Sequence, residues 1–211
     1  LFGGATPVGG ENYTAFVLPG ILVMTVLFSA GISGISNYAL KSGGSFYRIY
    51  VSPVKRRSIV LGHILDVEVL ALIEIFILMV LSWLLAVQIQ SGMVGFLLMI
   101  IQLAAAVFFV ASLSYALSFA FQDENPFIAL VNTLVLPLFF LSPALIPLES
   151  IPAAFRVPVA ANPFTYLINS LRGLVLNSAV DWTQVMAATG LMLLLSVLSF
   201  CLAVRQLEKR G

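Results

Sequence analysis

Charged residues are scarce in this chain, and their scarcity excludes more than any single motif includes. Ten Lys and Arg with nine Asp and Glu make up 9% of the 211 residues, against about 25% in a soluble domain. With 61% hydrophobic residues and a mean hydropathy of +1.09, the chain reads as an integral membrane protein. A net charge of +1, with the basic residues clustered rather than spread over one face, argues against nucleic-acid binding. The single cysteine, Cys201, lies inside an apolar run, which excludes a disulfide framework and a thiolate metal cluster. Phosphate-cradling glycine loops are lacking as well. Ser42-Gly43-Gly44-Ser45 has no lysine to engage a nucleotide, so the chain carries no ATP site of its own. Residues 1–10 begin with Leu and are neither a basic-headed signal peptide nor a span, and the natural chain is expected to begin earlier.

What is present is a series of hydrophobic runs long enough to cross a bilayer, which takes about 20 residues. They lie at about 14–40, 59–87, 93–121, 126–143 and 182–204. The fold class expected is therefore all-α: a polytopic helix bundle with five spans in a single permease-like domain. Five of the ten basic residues, Lys41, Arg48, Lys55, Arg56 and Arg57, fall in the connector 41–58. Three more, Arg205, Lys209 and Arg210, close the chain. Basic residues collect on the cytoplasmic side, so the connector and the carboxyl terminus should face the cytoplasm. Residues 88–92 and 142–181 should face out.

The polar residues within the runs have two readings, helix-packing glue or the lining of a path. In the first run Thr25, Ser29, Ser33 and Asn37 recur every fourth residue, and Ala30 with Gly34 forms a small-xxx-small pair. In the third, Gln102, Ser112, Tyr115 and Ser118 stand out. The second run carries His63, Asp66, Glu68 and Glu74. Asp66 and Glu68 are near enough to Arg57 to reach the interface, whereas Glu74 lies about 25 Å beyond Arg57 at 1.5 Å per residue. Glu68 points away from the face shared by His63, Asp66 and Glu74. The low-specificity candidates for a substrate path are Thr25, Ser29, Ser33, Glu74 and Tyr115.

Residues 142–181 hold half of the prolines yet stay apolar, which predicts broken external or re-entrant helices. Asn162-Pro163 reads as a cap followed by a first-turn proline. Asn125-Pro126 reads the same way for the fourth run. After Pro163, an apolar stripe at 164, 167, 168, 171 and 175 opposes Thr165, Asn169 and Arg172. Asn162, Thr165, Asn169 and Arg172 are thus candidates for a helix at the outward mouth.

Taken together, Phe16-Val17-Leu18-Pro19-Gly20-Ile21, the connector sequence Phe46-Tyr47-Arg48-Ile49-Tyr50-Val51-Ser52-Pro53, and Asn162-Pro163-Phe164-Thr165-Tyr166 followed by Arg172 resemble a known family. It is the membrane subunit of type-2 ATP-binding-cassette transporters, the drug-export and Nod-factor-export branches above all. The resemblance covers essentially the whole chain. Family members usually have six spans, one more than here, and often an acidic run where Lys41-Ser42-Gly43-Gly44-Ser45 stands. The resemblance implies a prokaryotic inner-membrane exporter of amphipathic or lipid-like molecules. It also implies a separate ATPase subunit that binds ATP and magnesium, and a second permease copy. Phe46, Ile49 and Tyr50 fall at i, i+3, i+4 and could enter a groove on that ATPase, with Tyr47 and Arg48 beside them. Burial of the same aromatics in the lipid surface is the alternative. Export of lipid-linked polysaccharide, proton-coupled transport through Glu74, and intramembrane catalysis by His63, Asp66 and Glu74 are the competing functions.

Overall fold

The computed structural model describes residues 13–42, 54–85, 87, 89–144, 153–176 and 180–209. The coupling candidates Phe46, Tyr47, Arg48, Ile49 and Tyr50 lie outside the described residues. Every regular element among those described is helical: α1 (Tyr13–Gly31), a 3₁₀ turn (Ser33–Ile35), α2 (Ser36–Ser42), α3 (Arg56–Leu84), α4 (Gly92–Ser118), α5 (Glu124–Phe140), α6 (Ala153–Ala161), α7 (Pro163–Leu176) and α8 (Trp182–Lys209).

Three stretches among the described residues are long and apolar enough to cross a membrane, Thr14–Tyr38, Gly92–Ser118 and Trp182–Lys209. Helix α3 has 29 residues and carries the three acids, while α5 has 17. Pro137 stands one turn before the end of α5. There its missing N–H removes a single helical bond, and the helix stops at Phe140.

The position of Asn125-Pro126 differs from its sequence reading. Helix α5 begins at Glu124, with Asp123 in the capping position making no side-chain cap bond. Pro126 is then the third helical residue. Its missing N–H is still among the four that have no intrahelical partner at a helix start, so the helix can begin two residues earlier without losing a bond.

The centre of the bundle is α4, which packs against α1, α3, α5, α7 and α8, most extensively against α8. Its buried face is built of small residues, among them Gly95, Ala105, Ala106, Ala111, Ser114 and Ser118. Small side chains let neighbouring backbones approach, which is how helices associate where lipid removes the hydrophobic drive. Helix α3 turns Val60, Ile64, Val67, Ala71 and Ile75 inward. Its opposite face, with Leu70, Phe76, Ile77 and Trp83, is exposed, as are Leu194, Val197 and Leu198 on α8. Such apolar exteriors suit hydrocarbon rather than water.

Two contacts fix which ends lie together. The Arg56 guanidinium donates to the Glu208 carbonyl at 3.0 Å, so the start of α3 meets the end of α8. At the opposite end, the amides of Gln90 and Ser91 donate to the carbonyls of Val175 and Leu174 at 3.2 and 3.3 Å. The α3–α4 turn is thereby bonded to the last turn of α7.

Candidate functional site

Helix α7 is the most firmly seated of the short elements, and its seat is built from side chains named in the sequence. The Asn162 Oδ1 accepts the Phe164 amide at 3.0 Å, and Pro163 supplies the first helical position. The same side chain turns its Nδ2 to the carbonyls of Leu138 and Leu141 at 2.7 and 3.1 Å. One asparagine therefore caps α7 and satisfies carbonyls left open at the end of α5. Asn162→Ala is expected to cost about 1–2 kcal/mol, measured as a loss of unfolding free energy in detergent micelles. A change of a few tenths would show that the cap is replaceable.

Of the remaining residues of that face, Thr165 and Arg172 are engaged rather than open. Thr165 is buried and donates to the Val159 carbonyl at 2.6 Å. Asn169 is half-buried. Arg172 donates through Nη2 to the carbonyl of Pro143 at 2.7 Å and of Ala144 at 3.4 Å. Its Nε points to the Phe16 carbonyl at 3.4 Å, and its guanidinium lies 3.7 Å from the centre of the Phe16 ring. Burial pushes this guanidinium down to about 10, so it remains charged at neutral pH. The apolar stripe Phe164, Leu167, Ile168, Leu171 and Val175 is fully buried, and Tyr166 is the large side chain of α7 left exposed. Helix α7 is thus enclosed on most sides, with Thr165 and Arg172 meeting backbone carbonyls instead of solvent.

The path candidates are only partly brought together. Thr25 is half-buried and bonds its own helix at the Ile21 carbonyl. Ser29 is half-buried, and Ser33 bonds the Ala30 carbonyl at 2.7 Å within the 3₁₀ turn. Tyr115 is buried against the His63 ring, with centroids 4.7 Å apart. His63 in turn pairs its Nδ1 with the Ser36 hydroxyl at 3.2 Å. Glu74 lies on the exposed face of α3. The Ser36 hydroxyl also donates to the Ser33 carbonyl at 3.0 Å, so the structure gathers Ser33, Ser36, His63 and Tyr115 and leaves Thr25, Ser29 and Glu74 outside that group.

Two polar groupings stand out beyond those candidates. Gln102 donates to Ser170, Thr189 and the Val185 carbonyl at 2.9, 2.9 and 3.1 Å, and accepts from Ser170 at 3.1 Å. This knot ties α4, α7 and α8, and its signal in the sequence is the one amide side chain of α4. Ser114 repairs the break in the first span: its hydroxyl donates to the Gly31 carbonyl at 2.5 Å and accepts the Gly34 amide at 2.9 Å. Asn37 and Tyr38 extend the seam, bonding the Ser118 hydroxyl at 2.5 Å and its carbonyl at 2.8 Å.

An amide-capped helix held by an arginine in a membrane bundle does not by itself identify a family, but the sequence does. A family model described as ABC-2 type transporter matches residues 1–176. The chain belongs to that permease family. Among relatives, this ABC-2 chain is 29% identical over 173 residues to a putative transport permease ycf38 of Cyanophora paradoxa, covering 80% of this chain and 58% of the relative. It is 29% identical over 192 residues to the ycf38 permease of Porphyra purpurea, covering 87% and 66%. It is 25% identical over 182 residues to the daunorubicin resistance ABC transporter permease protein DrrB1 of Streptomyces coeruleorubidus, covering 86% and 64%. The chain therefore spans about three fifths of the length of these relatives. No solved structure matches it.

Proposed function

We propose that this chain is the permease subunit of an ATP-driven exporter for an amphipathic, hydrophobic or lipid-like small molecule in a prokaryotic cytoplasmic membrane. ATP and magnesium bind to a separate nucleotide-binding subunit, and a second permease copy or a paralogue completes the path. The observation that carries this reading is the ABC-2 match over residues 1–176. The drug-resistance name of the Streptomyces relative supports a drug-like cargo over a polysaccharide.

The pairing of chain ends supports the orientation. Arg56 sits with the end of α8, so the two basic clusters share one end of the bundle, and basic ends face the cytoplasm. Helix α7, bonded to residues 90 and 91, then belongs to the outer face. The motion of the ATPase enters through 41–58, where the spacing of Phe46, Ile49 and Tyr50 provides an apolar docking stripe.

Co-expression with the candidate ATPase tests this directly. The two subunits are expected to co-purify, and inside-out vesicles carrying both to take up a hydrophobic drug only with ATP. Uptake driven by a pH gradient without ATP would sink the reading. In the same assay, Phe46→Ala combined with Ile49→Ala should detach the ATPase or abolish coupling while the permease stays inserted. Retained co-purification with full ATP-driven export would remove 41–58 as the transmission element.

A further inference from the structure

Halfway through the bundle, α3, α4 and α8 leave a cleft of about 460 Å³. Its walls are Ile101, Ala104 and Phe108 of α4 with Val197 and Phe200 of α8, among others, and Glu68 of α3 enters it. Its depth follows from helical rise and corrects the sequence reading, which put Glu68 within reach of the interface. Glu68 lies 12 residues into a helix of 29, about 18 Å from Arg56 at 1.5 Å per residue, and Ile101 to Phe108 are the middle turns of α4. The rim is open to the side of the bundle, since Ile101, Leu193 and Val197 are about half exposed.

The polar chemistry of the cleft is one-sided. The Glu68 Oε2 is buried and has no hydrogen-bond partner among the described residues. Ser196, the other polar side chain in the lining, has already committed its hydroxyl proton to the carbonyls of Ala105 and Met192, both within 2.8 Å. It therefore has no proton to offer Glu68. The lining also holds the rings of Phe108 and Phe200, with centroids 5.8 Å apart and tilted by 45°. An unpaired carboxylate with aromatic faces and aliphatic walls selects for one ligand chemistry: positive charge to pair with the carboxylate and the rings, and an apolar body to fill the rest. The volume falls in the range of small-molecule sites, about 300–1,000 Å³.

We propose that this cleft is a binding site for hydrophobic organic cations, with Glu68 as the residue that selects positive charge. Resting on the transport reading above, this assigns the cargo a charge and a lateral route of entry from the membrane interior. Ala104 and Phe108 set the width available to the apolar body.

The test uses tetraphenylphosphonium and its anionic isostere tetraphenylborate, with the permease in lipid nanodiscs and empty nanodiscs subtracted. Neither ATP nor partner is needed. Tetraphenylphosphonium is expected to bind saturably to the wild type, and tetraphenylborate, titrated in a separate experiment, not to bind. Glu68→Gln should weaken binding by about tenfold or more, the scale of losing a charged partner in an apolar site. Ala104→Leu, which narrows the cleft and leaves the carboxylate, should do the same, so the result does not depend on one variant folding. Equal binding by wild type and Glu68→Gln overturns the proposal. So does equal binding of cation and anion, or no binding by the wild type. Failure of ATP-driven export with Glu68-dependent binding intact would remove the transport reading alone. ATP-driven export with binding indifferent to Glu68 would remove only this site.

Discussion

Gly34→Ala is expected to lower unfolding free energy by about 2 kcal/mol or more, near the upper range for overpacking a close contact. A Cβ at residue 34 would lie 2.7 Å from the Ser114 carbonyl oxygen, 2.7 Å from the Phe127 ring and 3.0 Å from the Ser114 hydroxyl. The first of these is backbone and cannot swing aside. To admit the methyl group α4 must retreat from the first span, loosening the Ser114 and Ser118 bonds of that seam. Gly62 supplies the control, because nothing lies within 4 Å of its added Cβ. Gly62→Ala should stabilise by about 0.5–1 kcal/mol, the gain in helix propensity with no clash to offset it. Equal melting temperatures for the two variants in detergent would show that the seam between the first span and α4 is not close-packed in the protein.

Arg172→Ala should produce a loss of similar size by a different cause. Truncation strips the carbonyls of Pro143, Ala144 and Phe16 of a charged donor and uncovers the Phe16 ring. Hydrogen bonds to charged groups contribute about 1.5–3 kcal/mol. Arg172 is only half-buried, so the lower part of that range is expected, about 2 kcal/mol in all. Arg172→Lys should recover only part of it. A single ammonium cannot serve carbonyls on two segments and stack on a ring at once. Chemical unfolding of both variants reads the stability, and vesicle export reads the function. If Arg172→Ala keeps wild-type stability yet changes which molecules leave, Arg172 acts as a gate rather than as a fastening.

What could be read from the sequence depended on how local the cause was. Asn162 and Pro163 announce a helix start from their own backbone chemistry, and α7 starts there. The role of Arg172 was not legible, because its partners are main-chain carbonyls about 28 and 156 residues away, and a carbonyl has no sequence signature. The acids of α3 show the limit most clearly. Helical spacing placed Glu68 and Glu74 on different faces. It could not say which face turns inward, because apolar residues surround α3 on all sides. The stripe Val60, Ile64, Val67, Ala71 and Ile75 decides it, leaving Glu74 outside and bringing Glu68 to the cleft.

The 3₁₀ turn Ser33–Ile35 has a consequence for angular phase. An α-helix advances about 100° per residue and a 3₁₀-helix about 120°. Three residues of the tighter winding therefore rotate everything after them by about 60°. Thr25, Ser29, Ser33 and Asn37, in line on an unbroken helix, are split by that step. Asn37 and Tyr38 are swung onto α4, where they reach the hydroxyl and the carbonyl of Ser118. A variant that rewound residues 33–35 as regular α-helix would turn both side chains away from α4 and separate the first span from its central neighbour at that end.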